Sequence, residues 1–183
     1  MTTPEESIHS RQYLTFSLRE ENYAIEIDKV REVLDVTVLT KIPRMPDYLC
    51  GIINLRGNVV PVMDLGLRLG LPQIDHTRHT CIIIVEIGCG EESGSVHMGL
   101  VTDSVRMVVN MRDDEIEFAP KMGTNLNTDF IRGMGKQDEN KFIIILDIDT
   151  ILTTEAEDLR EMDFTGAALD LEEQAAAGTA EQL

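Results

Sequence analysis

The sequence predicts an all-β protein made of two copies of one small-barrel plan, and three observations carry that expectation. Apolar residues alternate or cluster in segments of strand length, and Gly, Pro, Asn and Asp separate them. The pattern Ala24-Ile-x-x-Asp-x-Val-Arg-x-Val-Leu34 returns 75 residues later as Gly99-Leu-x-x-Asp-x-Val-Arg-x-Val-Val109. Downstream, Pro43, Tyr48, Leu49 and Gly51 correspond to Pro120, Phe130, Ile131 and Gly133, and Val62-Met-Asp64-Leu65 returns 83 residues later as Ile145-Leu-Asp147-Ile148. The copies span residues 12–67 and 81–152. Each holds about five strands, too few and too brief for an open sandwich, so closure into a small barrel is the expected way to remove free edges.

In chain order, residues 1–10 read as a flexible arm. Tyr13–Leu18 and Tyr23–Ile27 are strands joined by the polar turn Arg19–Asn22, so a hairpin opens the fold. Asp28 can cap a helical turn, after which the chain becomes apolar and β-branched through Val38. Pro43 and Pro46 exclude helix or central strand between Ile42 and Asp47. Then Gly51–Leu65 sets two apolar runs around the polar turn Asn-Leu-Arg-Gly-Asn, and Gly66, Gly70 and Pro72 mark a seam between the halves. Cys81–Ile87 and Val96–Val101 form a hairpin across a long loop, Asp103–Val109 follows, and Arg112–Ile116 suggests one helical turn. Phe130–Gly133 and Phe142–Ile148 close the series. Beyond Leu152 the composition shifts to Glu, Asp and Ala: Ala156–Met162 has helical spacing, and disorder is expected from about Phe164 onward.

The net charge of −17 is uneven: residues 155–183 hold nine acids and one arginine, while the body between arm and tail carries only −7. An acidic surface repels phosphate backbones, which argues against nucleic-acid partners. No apolar run approaches membrane-spanning length and the N-terminus lacks the features of a signal peptide, so a soluble cytoplasmic protein without direct membrane insertion is expected. Cys50, Cys81 and Cys89 form no Cys-x-x-Cys pair and read as reduced structural thiols, with a Cys81–Cys89 bridge across the hairpin as the alternative.

Candidate chemistry is sparse. His76 and His79 lack the Cys or Glu neighbours that would complete a metal shell. Asp147 and Asp149 alternate with apolar residues like a paired acid site, but a strand ending at a barrel rim with its polar face outward explains them more simply, and no nucleophile or phosphate-loop motif occurs. Neither cofactor, metal nor catalytic residue is expected. Arg56 stands apart as a long cation in a tight turn. Its potential anionic partners in the same half are Glu26, Asp28, Glu32, Asp35, Asp47 and Asp64. The second half has no Arg at the equivalent place, its loop being Lys136-Gln-Asp-Glu-Asn-Lys141, so Arg56 belongs to something the halves do not share.

The segments 23–33, 43–65, 99–105 and 130–148, with Asn54-Leu-Arg-Gly57 the most specific, resemble the CheW family of chemotaxis coupling proteins over residues 11–152. The resemblance implies two intertwined SH3-like five-stranded β-barrels. It implies a non-enzymatic adaptor joining the cytoplasmic tip of chemoreceptors (methyl-accepting chemotaxis proteins) to the regulatory domain of the histidine kinase CheA, recruited to membrane-associated receptor arrays. Arg56 matches the family's receptor-coupling arginine and Glu32 its acidic partner, within a segment that includes Asn54, Leu55 and Gly57. Ile27, Val30, Val101 and Val105 match the apolar lining of a receptor-binding groove between barrels, with plain barrel core as the alternative for Ile27 and Val101. Leu39, Lys121 and Met122 fall where kinase contacts are expected, although Met122 replaces an aromatic. The alternatives are a regulatory module of a CheA-like or CheV-like pathway and, from a different class, a small acidic barrel enzyme holding a metal on Asp64, Asp147 or Asp149.

Overall fold

The computed structural model describes residues 9–88, 94–118 and 128–153. The expected flexible arm before residue 9, Cys89, the loop of Pro120, Lys121 and Met122, and the tail after Thr153 lie outside these residues.

The first hairpin forms where the alternation is cleanest, β1 (Ser10–Leu18) pairing with β2 (Glu21–Glu26) from Tyr13 opposite Glu26 to Leu18 opposite Glu21. A 3-10 turn at Ile27–Lys29 leads into β3 (Val30–Asp35). β4 (Leu49–Leu55) and β5 (Asn58–Asp64) make the second hairpin, and the one-turn helix α1 (Leu65–Arg68) follows. β6 (Cys81–Gly88) pairs with β7 (Ser95–Thr102), and β8 (Ser104–Arg112) runs through a 3-10 turn at Asp113–Glu115 into the short β9 (Ile116–Glu117). β10 (Ile131–Asp138) and β11 (Lys141–Leu146) close the series.

The last strand stops at Leu146 rather than at Ile148, because Asp147 caps a helix instead of extending the strand. Its Oδ1 accepts from the Thr150 amide (3.1 Å) at the start of the helical turn 148–153. Asp64 does the same for α1, accepting from the Leu67 amide (2.9 Å). The recurrence of Asp at 64 and 147 is therefore a recurrence of helix caps.

The strands form two sheets, ordered β8-β1-β2-β11-β10-β9 and β3-β6-β7-β5-β4, and each sheet takes strands from both copies. The parallel pairs make the exchange reciprocal: Ala24 lies opposite Ile145 in one sheet and Gly99 opposite Val62 in the other. Those four residues are the equivalents identified from the repeat. Each sheet closes by one device, the continuation of its first strand crossing to the β4 or β10 strand, Thr40 with Ile52 and Ile116 with Gly135. The result is two intertwined SH3-like barrels, the first with the extra two-residue strand β9.

Three apolar clusters follow from this topology. Ile53, Val60, Val62, Ile82, Ile84 and Val101 fill the second barrel, while Tyr13, Ala24, Met111, Ile143 and Ile145 fill the first. The largest cluster joins the barrels, Phe16, Tyr23 and Ile25 meeting Met63, Leu65, Ile83, Val85 and Leu100, with Ile148, Ile151 and Leu152 of the final helical turn sealing it. Ion pairing fastens the same seam. The Arg19 guanidinium, 10% exposed, reaches Asp103 Oδ1 (2.8 Å), Asp64 Oδ1 (3.4 Å) and, through Nε, the Pro72 carbonyl (2.6 Å). Arg68 of α1 lies between Tyr48 and Phe130, its guanidinium carbon 5.4 and 4.8 Å from the ring centres, so one cation is stacked between two residues related by the repeat.

Candidate functional site

The β4–β5 hairpin turns on two residues only, Arg56 and Gly57, because Leu55 faces Asn58 across the ladder. Both have positive φ, +51° and +87°, the signature of a type I′ turn, in which Asn-Gly is the preferred sequence. Gly57 meets that requirement at no cost, whereas Arg56 has a Cβ that crowds the following carbonyl by about 1–2 kcal/mol. Asn54 steadies the turn by accepting from the Gly57 amide (2.8 Å). Arg56 is thus held in a backbone state unsuited to it, with its side chain 78% exposed.

That side chain reaches across the mouth of the second barrel to β3, where Arg56 Nη2 lies 3.2 Å from Glu32 Oε2. Of the six acids the sequence offered, Glu32 is the one it pairs with. The pair borders an open cavity of about 410 Å³ floored by Val60, Ile84 and Leu55. Arg31, Glu86 and His97 complete its rim, Arg31 paired with Glu86 and His97 Nε2 4.0 Å from the same carboxylate. Sequence reasoning passed over these three. The signal was Glu86, a lone acid in the apolar run Cys81–Ile87 that register sets opposite His97.

The other expected receptor-contact residues do not share this cavity. Ile27, Val30 and Val105 are half-buried along the cluster between the barrels, with Val30 and Val105 at equivalent places in the repeat. Val101 is 3% exposed inside the second barrel, where no partner reaches it without repacking the core. Leu39 packs against the outside of the same interior and lines a separate groove.

The three carboxylates singled out from the sequence have structural roles among the described residues. Asp149 pairs with Lys29 (2.7 Å), while Asp64 and Asp147 cap helices, so the three acids are not assembled into one centre. No group of three or more His, Cys, Asp or Glu there could hold a metal ion. Cys50 and Cys81 are free thiols, and burial, reinforced by Asp64, pushes the Cys50 thiol up to about 11. No described helix is long and apolar enough to cross a membrane.

Comparison with known proteins agrees with this geometry. Residues 12–156 match the family model described as CheW-like domain. The chemotaxis protein CheW of Bacillus subtilis (strain 168) is 32% identical over 143 residues, 78% of this chain and 87% of that protein. The chemotaxis protein CheW of Klebsiella aerogenes is 30% identical over 145 residues, 79% of this chain and 83% of that protein. The crystal structure of the scaffolding protein TtCheW from Thermoanaerobacter tengcongensis superposes with a TM-score of 0.69 at 36% identity, covering 79% of this chain and 93% of that one. A reciprocal strand exchange between two small barrels, an arginine held in an unfavourable turn, and a family match across both barrels lead to one statement: the chain belongs to the CheW family.

Proposed function

We propose that this chain is a non-enzymatic scaffold that holds the cytoplasmic tip of chemoreceptors and the histidine kinase CheA in one signalling assembly. The chemotaxis adaptor role follows from family membership. The named partners and their contact residues are the proposal. A receptor helix lies against the seam between barrels, where Ile27, Val30 and Val105 offer half-buried apolar surface, and Arg56 with Glu32 flanks it as the charged element that fixes orientation. The segment Asn54–Gly57 shapes the turn that presents Arg56. Val101 supports this from inside the barrel. Leu39, with Lys121 and Met122, supplies the kinase contact.

One observation carries the reading: the fold gains little from Arg56. Its backbone is unfavourable, and an ion pair this exposed is worth no more than about 0.5 kcal/mol after solvent screening. A residue kept against the preference of its own turn is best explained by what it does for a partner. Capture of the chain by an immobilised receptor-tip fragment tests this: Arg56→Ala and Glu32→Ala should each lower capture several-fold while the folded signature persists. Capture unchanged by both substitutions overturns the assignment.

A further inference from the structure

The groove that contains Leu39 is the larger of the open cavities described, about 550 Å³, and lies on the second barrel away from Arg56. Leu39, Met45 and Ile74 give it apolar surface, Ile74 being 41% exposed. Lys41, Arg44 and His76 stand on its rim, and among the described residues neither Lys41 nor Arg44 takes part in an ion pair. The lining also includes two acids. Asp64 is engaged by Arg19 and by the Leu67 amide, which leaves Asp47 as the other acid of the lining against the two cations. The site is therefore cationic at the rim and apolar within, on a chain whose net charge is −17.

The complementary chemistry is present in the same chain. Glu155-Ala-Glu-Asp-Leu159-Arg-Glu-Met162-Asp-Phe164 places five acids against one arginine and spaces three large apolar residues among them. The described chain ends at Thr153, in the helical turn whose Ile151 carbonyl accepts from Arg68 Nη2 (3.3 Å). Arg68 adjoins Leu67, which lines the groove, so the segment departs from beside the helix that borders it. An extended chain advances about 3.3 Å per residue, and a ten-residue segment reaches about 33 Å, ample for a neighbouring groove.

We infer that the groove of Leu39, Lys41 and Arg44 is the docking site of the chain's own acidic segment 155–164. The acids face Lys41 and Arg44, and Leu159, Met162 and Phe164 enter the apolar floor. If the kinase contact proposed above is correct, this docking competes with it, because both use Leu39. The docking itself does not depend on that reading.

Zero-length carbodiimide coupling on the full chain tests the inference without receptor or kinase present. An equal mixture of ¹⁴N and ¹⁵N chains distinguishes links within one molecule from links between two. Expected are amide links within one chain from Lys41 to carboxylates in 155–163, with yield falling several-fold in Arg44→Glu and in about 1 M salt, where the screening length is about 3 Å. The inference is overturned if Lys41 couples only to acids of the barrels, or if its tail links form only between chains. It also fails if Lys29, Lys136 and Lys141 couple to the segment equally well, or if Arg44→Glu leaves the yield unchanged.

Discussion

Replacing Arg56 by asparagine should make the protein more stable and worse at its task. The turn needs φ above zero at both central residues, and Arg56 already adopts +51°. Asn tolerates that region far better than Arg, which relieves part of the roughly 1–2 kcal/mol crowding cost. Against this stands the loss of the 3.2 Å contact with Glu32. With the Arg56 side chain 78% exposed, that contact contributes no more than about 0.5 kcal/mol after solvent screening. The balance favours Arg56→Asn by about 0.5–1 kcal/mol, which for a chain of this size raises Tm by roughly 1–4 °C. Differential scanning calorimetry reads the stability, and receptor-tip capture on the same preparation reads the function. A fall in Tm would show that Arg56 serves the fold after all, and full capture at raised Tm would show that it serves neither.

Two further outcomes concern the frame of the site. A Cβ at Gly66 would sit 2.6 Å from Arg19 Cζ and 2.7 Å from both terminal nitrogens, and the guanidinium is fixed by Asp103, Asp64 and the Pro72 carbonyl. Gly66→Ala should therefore break the ion-pair cluster that fastens the barrels, costing about 3 kcal/mol, visible as a lower urea midpoint, and a midpoint unchanged from the parent refutes it. Cys50, with its thiol pushed up to about 11, should be alkylated by iodoacetamide at a rate that rises about tenfold per pH unit from 7 to 10, because only the thiolate reacts. A rate that levels off near pH 9 contradicts the burial account.

Much of this architecture was legible because the repeat is written in residues with positional meaning. The strands followed from alternation, and the equivalence of Ala24 with Gly99 and of Val62 with Ile145 followed from the repeat, although it did not tell that Ala24 faces Ile145 and Gly99 faces Val62. What alternation could not show is which copy each strand pairs with, since a parallel partner tens of residues away leaves no local mark. Asp147 and Asp149 misled for a related reason: a capping Asp and a strand-end Asp look alike until the next amide is placed. At the site, Arg56 was conspicuous as a long cation in a tight turn, and its backbone explains why. Arg31, Glu86 and His97 were hidden because their association arises from register across β3, β6 and β7, not from proximity in sequence. Burial separated Val101 from Val30 and Val105, which the same apolar pattern had grouped together.

The crossing of strands between copies has a consequence for what the halves are. Neither half owns a complete sheet, so dividing the chain in the seam near Gly70 would yield two fragments, each with unpaired edges and an uncovered apolar face. A single half could satisfy its hydrogen bonds only by trading strands with a second copy about a twofold axis. The covalent protein is, in that sense, a dimer whose subunits were joined and then allowed to differ. Arg68, stacked between Tyr48 and Phe130, is a single side chain that serves both copies at once. Arg56 marks the other end of that freedom: once the copies are joined, a turn on one barrel can take a residue that its counterpart on the other never needed.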